Sequence, residues 1–186
     1  MGDQEIIELF WQRDEDAVAQ SQRAYGAYCF TIAHNILMDR EGAEECVNDT
    51  WLRAWNSMPP QRPGRLSAFF GRITRNLALD RYAAKRAYKR GGGEMELVLE
   101  ELDHCIAAAD TVGQAIDEAE LARCINRFLH TLPARERNIF LCRYWDVSPL
   151  KDIATKYGLR EANVKASLYR SREKLRAFLE KEGITV

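Results

Sequence analysis

The stretch SPLKDIATKYGLREANVKASLYRSREKL, residues 148–175, decides the fold of the last third of the chain. Its apolar residues recur every three or four positions, which is the spacing of one face of an α-helix. Gly158 suits a left-handed turn between two helices, and Ala154 is small enough to let them cross closely. Val164 and Leu168 then resume the apolar face. We therefore predict a helix-turn-helix, with an ordinary helical hairpin as the alternative.

The outer surface of the second helix of this motif is rich in cations and polar groups. Lysine and arginine side chains neutralise DNA phosphates, whereas side chains in the N-terminal half of such a helix reach base edges in the major groove. This pattern favours binding to duplex DNA. The candidate residues are Asn163, Lys165, Tyr169, Arg170, Arg172 and Lys174.

The net charge of the chain, −1 over 186 residues, hides a strong alternation. Residues 1–58 carry a net −7, residues 59–92 carry +8, residues 93–120 carry −9 and residues 121–186 carry +7. Like charges gathered on one surface repel one another and are usually kept for binding a polyanion. The alternation predicts two basic surfaces joined by an acidic segment.

Gly91-Gly92-Gly93 is the clearest break, because each glycine is unfavourable inside a helix by roughly 1 kcal/mol. We place the end of a first domain, residues 1–92, there. Residues 93–120 contain no Lys or Arg and are predicted to be a flexible acidic linker, helical in parts. Residues 121–186 form the second domain, with four helices. Strand patterns are weak throughout, so the expected fold class is all-α, with two small helical domains joined by the linker.

The first domain is predicted to contain two long helices. Residues 43–58 place a wide apolar stripe, including Trp51 and Trp55, on one side of the first helix. The opposite face carries Glu45, Asn48, Asp49, Leu52 and Arg53. Pro59-Pro60 ends this helix, because proline cannot donate the next backbone hydrogen bond.

The second long helix is predicted to run from Leu66 to about Arg90, with an apolar stripe that includes Phe69 and Phe70. An aromatic stripe of this kind is ordinarily core, so only the basic remainder is a candidate for function. Those candidates, with the cation that precedes the helix, are Arg65, Arg72, Arg75, Asn76, Arg81, Lys85 and Arg86.

Several classes of protein and site are not expected. No apolar run approaches the ~18 residues that cross a bilayer, and the start of the chain lacks the pattern of a signal peptide, so we expect a soluble cytoplasmic protein without membrane insertion. Five widely spaced cysteines argue against disulfides and against a metal site. Three scattered histidines and the lack of a glycine-rich phosphate loop leave no catalytic residues to name, and we expect neither an enzyme nor a cofactor.

Three segments together carry a resemblance to a known family. They are AEECVNDTWLRAW at residues 43–55, residues 69–86 with Asn76 and Asp80, and LPARER at residues 132–137 followed by the helix-turn-helix. In this order and at this separation they resemble the bacterial sigma factors of the extracytoplasmic-function (ECF) group, which keep the second and fourth conserved regions of the sigma-70 family. The resemblance covers nearly the whole chain.

The resemblance implies a sigma factor that binds core RNA polymerase and directs promoter-specific initiation of transcription. The face of Glu45, Asn48, Asp49, Leu52 and Arg53 is implied to dock on the clamp helices of the polymerase β′ subunit. The β flap of the polymerase is implied as a second contact. An anti-sigma protein is implied as a further partner, and the acidic linker is implied to thread channels of the polymerase.

The resemblance also implies two contacts with promoter DNA. Asn76 and the Pro63-Gly64-Arg65 loop are the candidates for a pocket that holds an unstacked base of the single-stranded minus-10 element. Basic side chains of the same helix would follow the phosphates, and Asp80 would hold one of the arginines in place. The helix-turn-helix would bind the minus-35 element as duplex, with Lys165, Tyr169 and Arg170 in the groove or on its edge and with Arg172 and Lys174 on the backbone. Ala166-Ser167 stands where members often have Ser-Arg, so the base preference does not transfer.

A stand-alone helix-turn-helix regulator remains the alternative function. Such a protein would use residues 1–92 for dimerisation or sensing and would protect its operator without assistance. A polymerase-dependent factor would instead bind its promoter weakly alone and initiate specifically with core enzyme. The exposed face around Asn48 and Asp49 distinguishes these hypotheses.

Overall fold

The computed structural model describes residues 2–86, 93–106 and 118–183, and every regular element in those ranges is an α-helix, which confirms the all-α prediction. The chain divides into two compact units, Met1–Gly93 and Glu94–Val186. The helices are α1 (Asp3–Trp11), α2 (Asp16–Leu37), α3 (Arg40–Ser57), α4 (Leu66–Arg86), α5 (Glu94–Ile106), α6 (Glu118–Thr131), α7 (Ala134–Tyr144), α8 (Leu150–Tyr157) and α9 (Glu161–Lys181).

The N-terminal unit is built on α2, α3 and α4, which pack around one apolar core, and α1 lies against α2. The Trp51 ring of α3 meets the Phe70 ring of α4 edge-on, with 5.2 Å between ring centroids. Helix α1 adds Ile6, Ile7 and Phe10, none of which is more than 1% exposed. Burial of each such side chain stabilises the fold by about 1.5–3 kcal/mol. Helix α1 is therefore an integral part of this unit.

The structure describes α4 only as far as Arg86, and it places a proline directly before the start of α7. The second long helix of the first domain is observed as α4, ending at Arg86, and the predicted end near Arg90 and Gly91-Gly92 lie outside the described residues. Pro133 stands just before α7 as its N-cap.

The helix-turn-helix is confirmed by α8 and α9. Gly158 adopts the left-handed conformation at φ 61° and caps α8. The turn is closed by a hydrogen bond of 2.9 Å from the Leu159 amide to the Ala154 carbonyl. Val164 is 0% exposed and Leu168 is 2% exposed, so the apolar face of α9 is buried as its spacing predicts.

The first part of the predicted linker is helix α5, which packs against α9 within the C-terminal unit. Met95 and Val98 are buried there, and they supply the apolar contact that a free acidic segment would lack. The C-terminal unit therefore begins at Glu94, well before the predicted Leu121. Residues 107–117 of the predicted linker lie outside the described residues.

Candidate nucleic-acid interfaces

The predicted polymerase-binding residues of α3 share one face, which points away from the core. Their spacing of three and four positions places them on one side of the helix, whose other side is buried. Leu52 is 60% exposed, which is high for a large apolar side chain. Asn48 and Arg53 are also exposed, and Asp49 is half-buried. The α3 face, defined as Glu45, Asn48, Asp49, Leu52 and Arg53, is thus one acidic and amide surface around an exposed leucine.

Arg81, which the sequence places among the minus-10 candidates, instead bridges two acids of the α3 face. Its Nη1 donates to Glu45 at 2.8 Å and its Nη2 donates to Asp49 at 2.6 Å. These hydrogen bonds, led by the one to Glu45, raise the pKa of Arg81 above its ordinary value. The side chain is only 29% exposed. A DNA phosphate would have to displace two carboxylates to reach it.

The position of Arg81 follows from helical geometry. Arg81 lies seven residues after the buried Thr74, and Lys85 lies seven residues after the buried Ala78, so both continue the core-facing side of α4 beyond the core. Lys85 bonds to Asp39 at 2.6 Å, and this hydrogen bond is the main cause of the lowered pKa of Asp39. The C-terminal part of α4 is thereby tied to α3 and to the residue that precedes it.

Of the other minus-10 candidates, Arg72 and Asn76 are on the opposite side of α4, and Arg65 precedes the helix. Arg65, Arg72 and Asn76 are exposed, and Arg75 is half-buried. The side chain of Arg86 lies outside the described residues. Asp80, expected to hold an arginine, makes no ion pair among the described residues, where Asp39, Glu45 and Asp49 hold the cations instead. The structure therefore brings together a smaller exposed set than the sequence predicts.

The minus-35 candidates on α9 also separate into two groups. Asn163, Lys165 and Arg170 are exposed, and Tyr169 is 58% exposed. The remaining two candidates are engaged within the C-terminal unit. Arg172 donates to the Tyr144 hydroxyl at 2.6 Å and to Glu101 at 3.3 Å, and Lys174 donates to Glu136 at 2.9 Å. The open part of α9 is therefore its N-terminal half, where base-reading residues of a helix-turn-helix lie.

Arg143, which sequence reasoning did not single out for function, is the centre of the network that holds Arg172. Its side chain is 1% exposed and donates to Glu94 at 2.7 Å and to Glu101 at 2.7 Å. A further hydrogen bond of 3.1 Å reaches the Ser148 carbonyl, just before α8. Burial alone favours the neutral guanidine, but the hydrogen bonds to Glu101 and Glu94 outweigh it and raise the pKa of Arg143.

Tyr144 completes this network by donating to Glu101 at 2.9 Å, and burial is the main cause of its raised pKa. The sequence signal for the network was an arginine placed directly beside apolar residues of α7, such as Cys142. A buried cation requires an acidic partner, and the acids come from a segment that resembles a linker.

Three further observations, each limited to the described part of the chain, concern metal-binding groups, cysteines and membrane spans. It holds no group of three or more His, Cys, Asp and Glu side chains that could bind a metal ion. Cys29, Cys46, Cys124 and Cys142 are free thiols and buried, and the side chain of Cys105 lies outside the description. None of the described helices combines the length and the apolar character that a membrane span needs.

Comparison with known families matches two conserved regions in the chain. Residues 22–88 match the family model described as Sigma-70 region 2, and residues 122–175 match the one described as Sigma-70, region 4. Together the two matches cover about two thirds of the chain. The first lies within the N-terminal unit and the second within the C-terminal unit.

Three curated proteins are similar over most of the chain. The ECF RNA polymerase sigma factor SigE of Mycolicibacterium smegmatis is 26% identical, over 87% of this chain and 61% of the relative. The probable RNA polymerase sigma factor RfaY of Xanthomonas campestris is 28% identical, over 86% of this chain and 41% of the relative. The ECF RNA polymerase sigma factor SigW of Bacillus subtilis is 24% identical, over 89% of this chain and 90% of the relative. The chain thus spans less than two thirds of the first two relatives and nearly all of the third.

Proposed function

The chain belongs to the sigma-70 family, in its ECF group, and from that premise we propose that it is a sigma factor that directs core RNA polymerase to specific promoters. The observation that carries the proposal is the presence of both conserved regions in one chain, each in its own helical unit. Each unit also presents exposed cations on or just before one long helix, namely Arg65 and Arg72 at α4 and Lys165 and Arg170 on α9. The protein acts by binding rather than by catalysis, and its site of action is the cytoplasm.

The α3 face is the surface that binds the polymerase. Its acids and its amide suit the basic side of a coiled coil such as the β′ clamp helices, where charge-assisted hydrogen bonds fix the register. Leu52 adds an apolar anchor at 60% exposure. The β flap of the polymerase is the proposed partner of the C-terminal unit, and an anti-sigma protein is a further proposed partner.

Promoter opening is the task of the exposed side of α4 and of the loop before it. A duplex opens without ATP when an unstacked base is held in a pocket and its strand follows a cationic groove, because these contacts offset a few kcal/mol of lost stacking. Asn76 and the Pro63-Gly64-Arg65 loop supply the proposed pocket, and Arg72 supplies an exposed cation beside it. Arg81 and Lys85 serve the packing of α4 on α3 instead.

Recognition of the minus-35 element is the task of α9. Its exposed N-terminal half carries Asn163, Lys165, Tyr169 and Arg170, and helix-turn-helix proteins read base edges from this part of the second helix. Arg172 already bonds to Tyr144 and to Glu101, so its contribution to phosphate binding is smaller than its charge suggests.

In vitro transcription with core polymerase and a random promoter library tests the proposal. The expected result is a set of transcripts that share two sequence elements and that require both the chain and the polymerase. A stand-alone regulator would instead protect a DNA site without polymerase and would select no promoters. That outcome would overturn the proposal in favour of the alternative function.

Reversal of charge at Asp49 tests the α3 face. Asp49→Lys removes a carboxylate of that face and places a cation beside Arg81, so we expect core binding to weaken at least about tenfold, since like charges in an interface cost several kcal/mol. Competition against another sigma factor for core enzyme measures the loss. Glu44→Lys is the matched control, because Glu44 is exposed on the same helix but outside the face. Unchanged competition by a variant with normal helical content would contradict the assignment.

A further inference from the structure

The loop of residues 58–65 joins α3 to α4, and residues in its middle are held by the end of α1. The Trp11 Nε1 donates to the Gln61 carbonyl at 3.3 Å. The Arg62 guanidinium lies over the Trp11 ring, 5.1 Å from its centroid, and bonds to the carboxylate of Glu8. Two successive residues of the loop are therefore fixed by two side chains that lie three positions apart on α1.

The end of the loop, where α4 begins, is held by the start of α1. The Leu66 amide, at the first residue of α4, donates to Asp3 Oδ2 at 3.0 Å. The other oxygen of this carboxylate accepts the Tyr25 hydroxyl of α2. A carboxylate at the first turn of a helix stabilises that end by satisfying a free amide and by opposing the helix dipole. Asp3 thus fixes where α4 begins from a position 63 residues away in the sequence.

The last turn of α3, before the loop, is held by the turn that follows α1. Arg13 donates to the Trp55 carbonyl at 2.7 Å, and its guanidinium lies 5.3 Å from the centroid of the Trp55 ring. Contacts from α1 and its following turn therefore reach the entry to the loop, its middle and its exit.

Residues 63–65 lie between the contacts at Gln61 and Arg62 and the contact at Leu66, and they form an open tip. Gly64 and Arg65 are exposed, and a Cβ added at Gly64 would meet no atom within 4 Å. The charge of Arg62 is balanced by Glu8, whereas Arg65 has no ion-pair partner among the described residues. Arg65 is therefore the cation of this loop that is available to a phosphate.

Helix α1 is anchored in the core of its unit, and the match to the family model covers none of it. Ile7 and Phe10 are 0% exposed and join α1 to the core. The match to Sigma-70 region 2 spans residues 22–88, so α1 precedes it. The anchors of the loop thus come from outside the matched region, while the loop itself lies within it.

We propose that Glu8 and Trp11 of α1 are positioning residues that hold the 58–65 loop in the shape that selects a base of the minus-10 element. They act through Gln61 and Arg62, and the open tip meets the DNA. Loosening these anchors widens the range of bases that the tip accepts without altering the polymerase-binding face or the minus-35 helix. This inference rests on the proposed function.

The test uses the full chain with core polymerase and a promoter library that is random in both elements, with sequencing of the transcripts. Glu8→Gln combined with Trp11→Phe removes the ion pair and the indole donor but keeps an aromatic ring under Arg62. Each lost hydrogen bond changes an equilibrium about two- to tenfold, so we expect base preference in the minus-10 element to fall about two- to tenfold. Preference in the minus-35 element should stay unchanged. Glu5→Gln is the matched control, since Glu5 lies on α1 but bonds to the Gly2 amide at 2.7 Å and not to the loop.

The possible outcomes separate this inference from the proposed function. If the wild-type chain selects no promoter, the proposed function fails and the inference fails with it. If the wild type selects promoters and the double variant selects the same minus-10 bases equally well, the inference alone is wrong. An equal loss of preference in both elements would show general destabilisation and would also overturn it. Trp11→Phe alone, read in the same way, decides the matter if the double variant does not fold.

Discussion

The basic helices of the two units, α4 and α9, show a similar arrangement of exposed and paired cations, but the paired cations of the two units are buried to different extents. Arg72 of α4 and Lys165 and Arg170 of α9 are exposed, whereas Arg81 and Arg172, which lie later on the two helices, are bound by acids of the same unit. The extent of burial differs: Arg81 of α4 is 29% exposed and Arg172 of α9 is 18% exposed, whereas Arg143 of α7, which shares Glu101 with Arg172, is 1% exposed. Surface ion pairs contribute little to stability, while breaking a buried pair is costly. The comparison indicates that a count of cations overestimates how many of them are available to bind DNA in each unit. It also indicates that burial decides how much each ion pair stabilises the fold.

The largest effect is expected from removing the buried cation. Arg143→Met removes the cation that bonds to both Glu94 and Glu101 and leaves Glu101 with only Arg172 and Tyr144 of this network, and we expect the free energy of unfolding of the C-terminal unit to fall by about 3 kcal/mol. This value is at the lower end for buried pairs because both carboxylates remain 24% exposed. Urea unfolding followed by circular dichroism measures it. Arg176→Met, which breaks an exposed pair with Glu180, should cost less than about 1 kcal/mol, and equal losses would refute the difference in depth.

An intermediate effect is expected on DNA binding by α9. Arg170→Ala should weaken binding of polymerase holoenzyme to a promoter by roughly 1 to 3 kcal/mol if Arg170 reads a base. Arg172→Ala should cost less, because Tyr144 and Glu101 already occupy this guanidinium. Affinity for promoters with and without the minus-35 element measures both. Equal losses for the two variants would mean that the engaged cation is free to contact DNA, and a loss on unrelated DNA would make Arg170 a phosphate contact.

The smallest effect concerns Tyr25, whose hydroxyl donates to the Asp3 carboxylate. The same carboxylate accepts the Leu66 amide at the start of α4. Burial, followed by the hydrogen bond to Asp3, raises the pKa of Tyr25 from 10.0 to about 12. The folded state therefore holds this proton more tightly than the unfolded chain, so the stabilisation is present below pH 10 and is lost as pH rises towards 12.

Urea unfolding of the full chain at several alkaline pH values checks this expectation. Tyr25→Phe should flatten the alkaline loss of stability of the N-terminal unit. Tyr169→Phe, which changes an exposed tyrosine of the C-terminal unit, is the control. The same alkaline slope in wild type and Tyr25→Phe would contradict the link between Tyr25 and Asp3.

Local patterns in the sequence predicted the helices and the turn, because the causes of these features lie close together in the chain. Gly158 allows the left-handed turn by itself, and the spacing of Val164 and Leu168 is sufficient to identify a buried face. The exposed face of α3 followed from the same periodicity. For such features, the identity and the spacing of residues carry nearly all of the information.

The partners of the cations could not be predicted, because they depend on packing between distant segments. Arg81 is 36 residues from Glu45, and Arg172 is 71 residues from Glu101. The same holds for α5, where the acid-rich composition does not indicate which apolar residues dock the helix, and the structure buries Met95 and Val98. An acid-rich segment thus appears as a linker until the cations that it neutralises are located.

The buried guanidinium of Arg143 has a practical consequence for the design of shorter fragments. A C-terminal piece cut at Leu121, where the charge pattern alone would place the boundary, would enclose a cation whose two carboxylates had been deleted. A fragment that starts before Glu94 keeps both counter-ions and the helix that delivers them. Truncations intended for isotope labelling or crystallisation should therefore retain that helix.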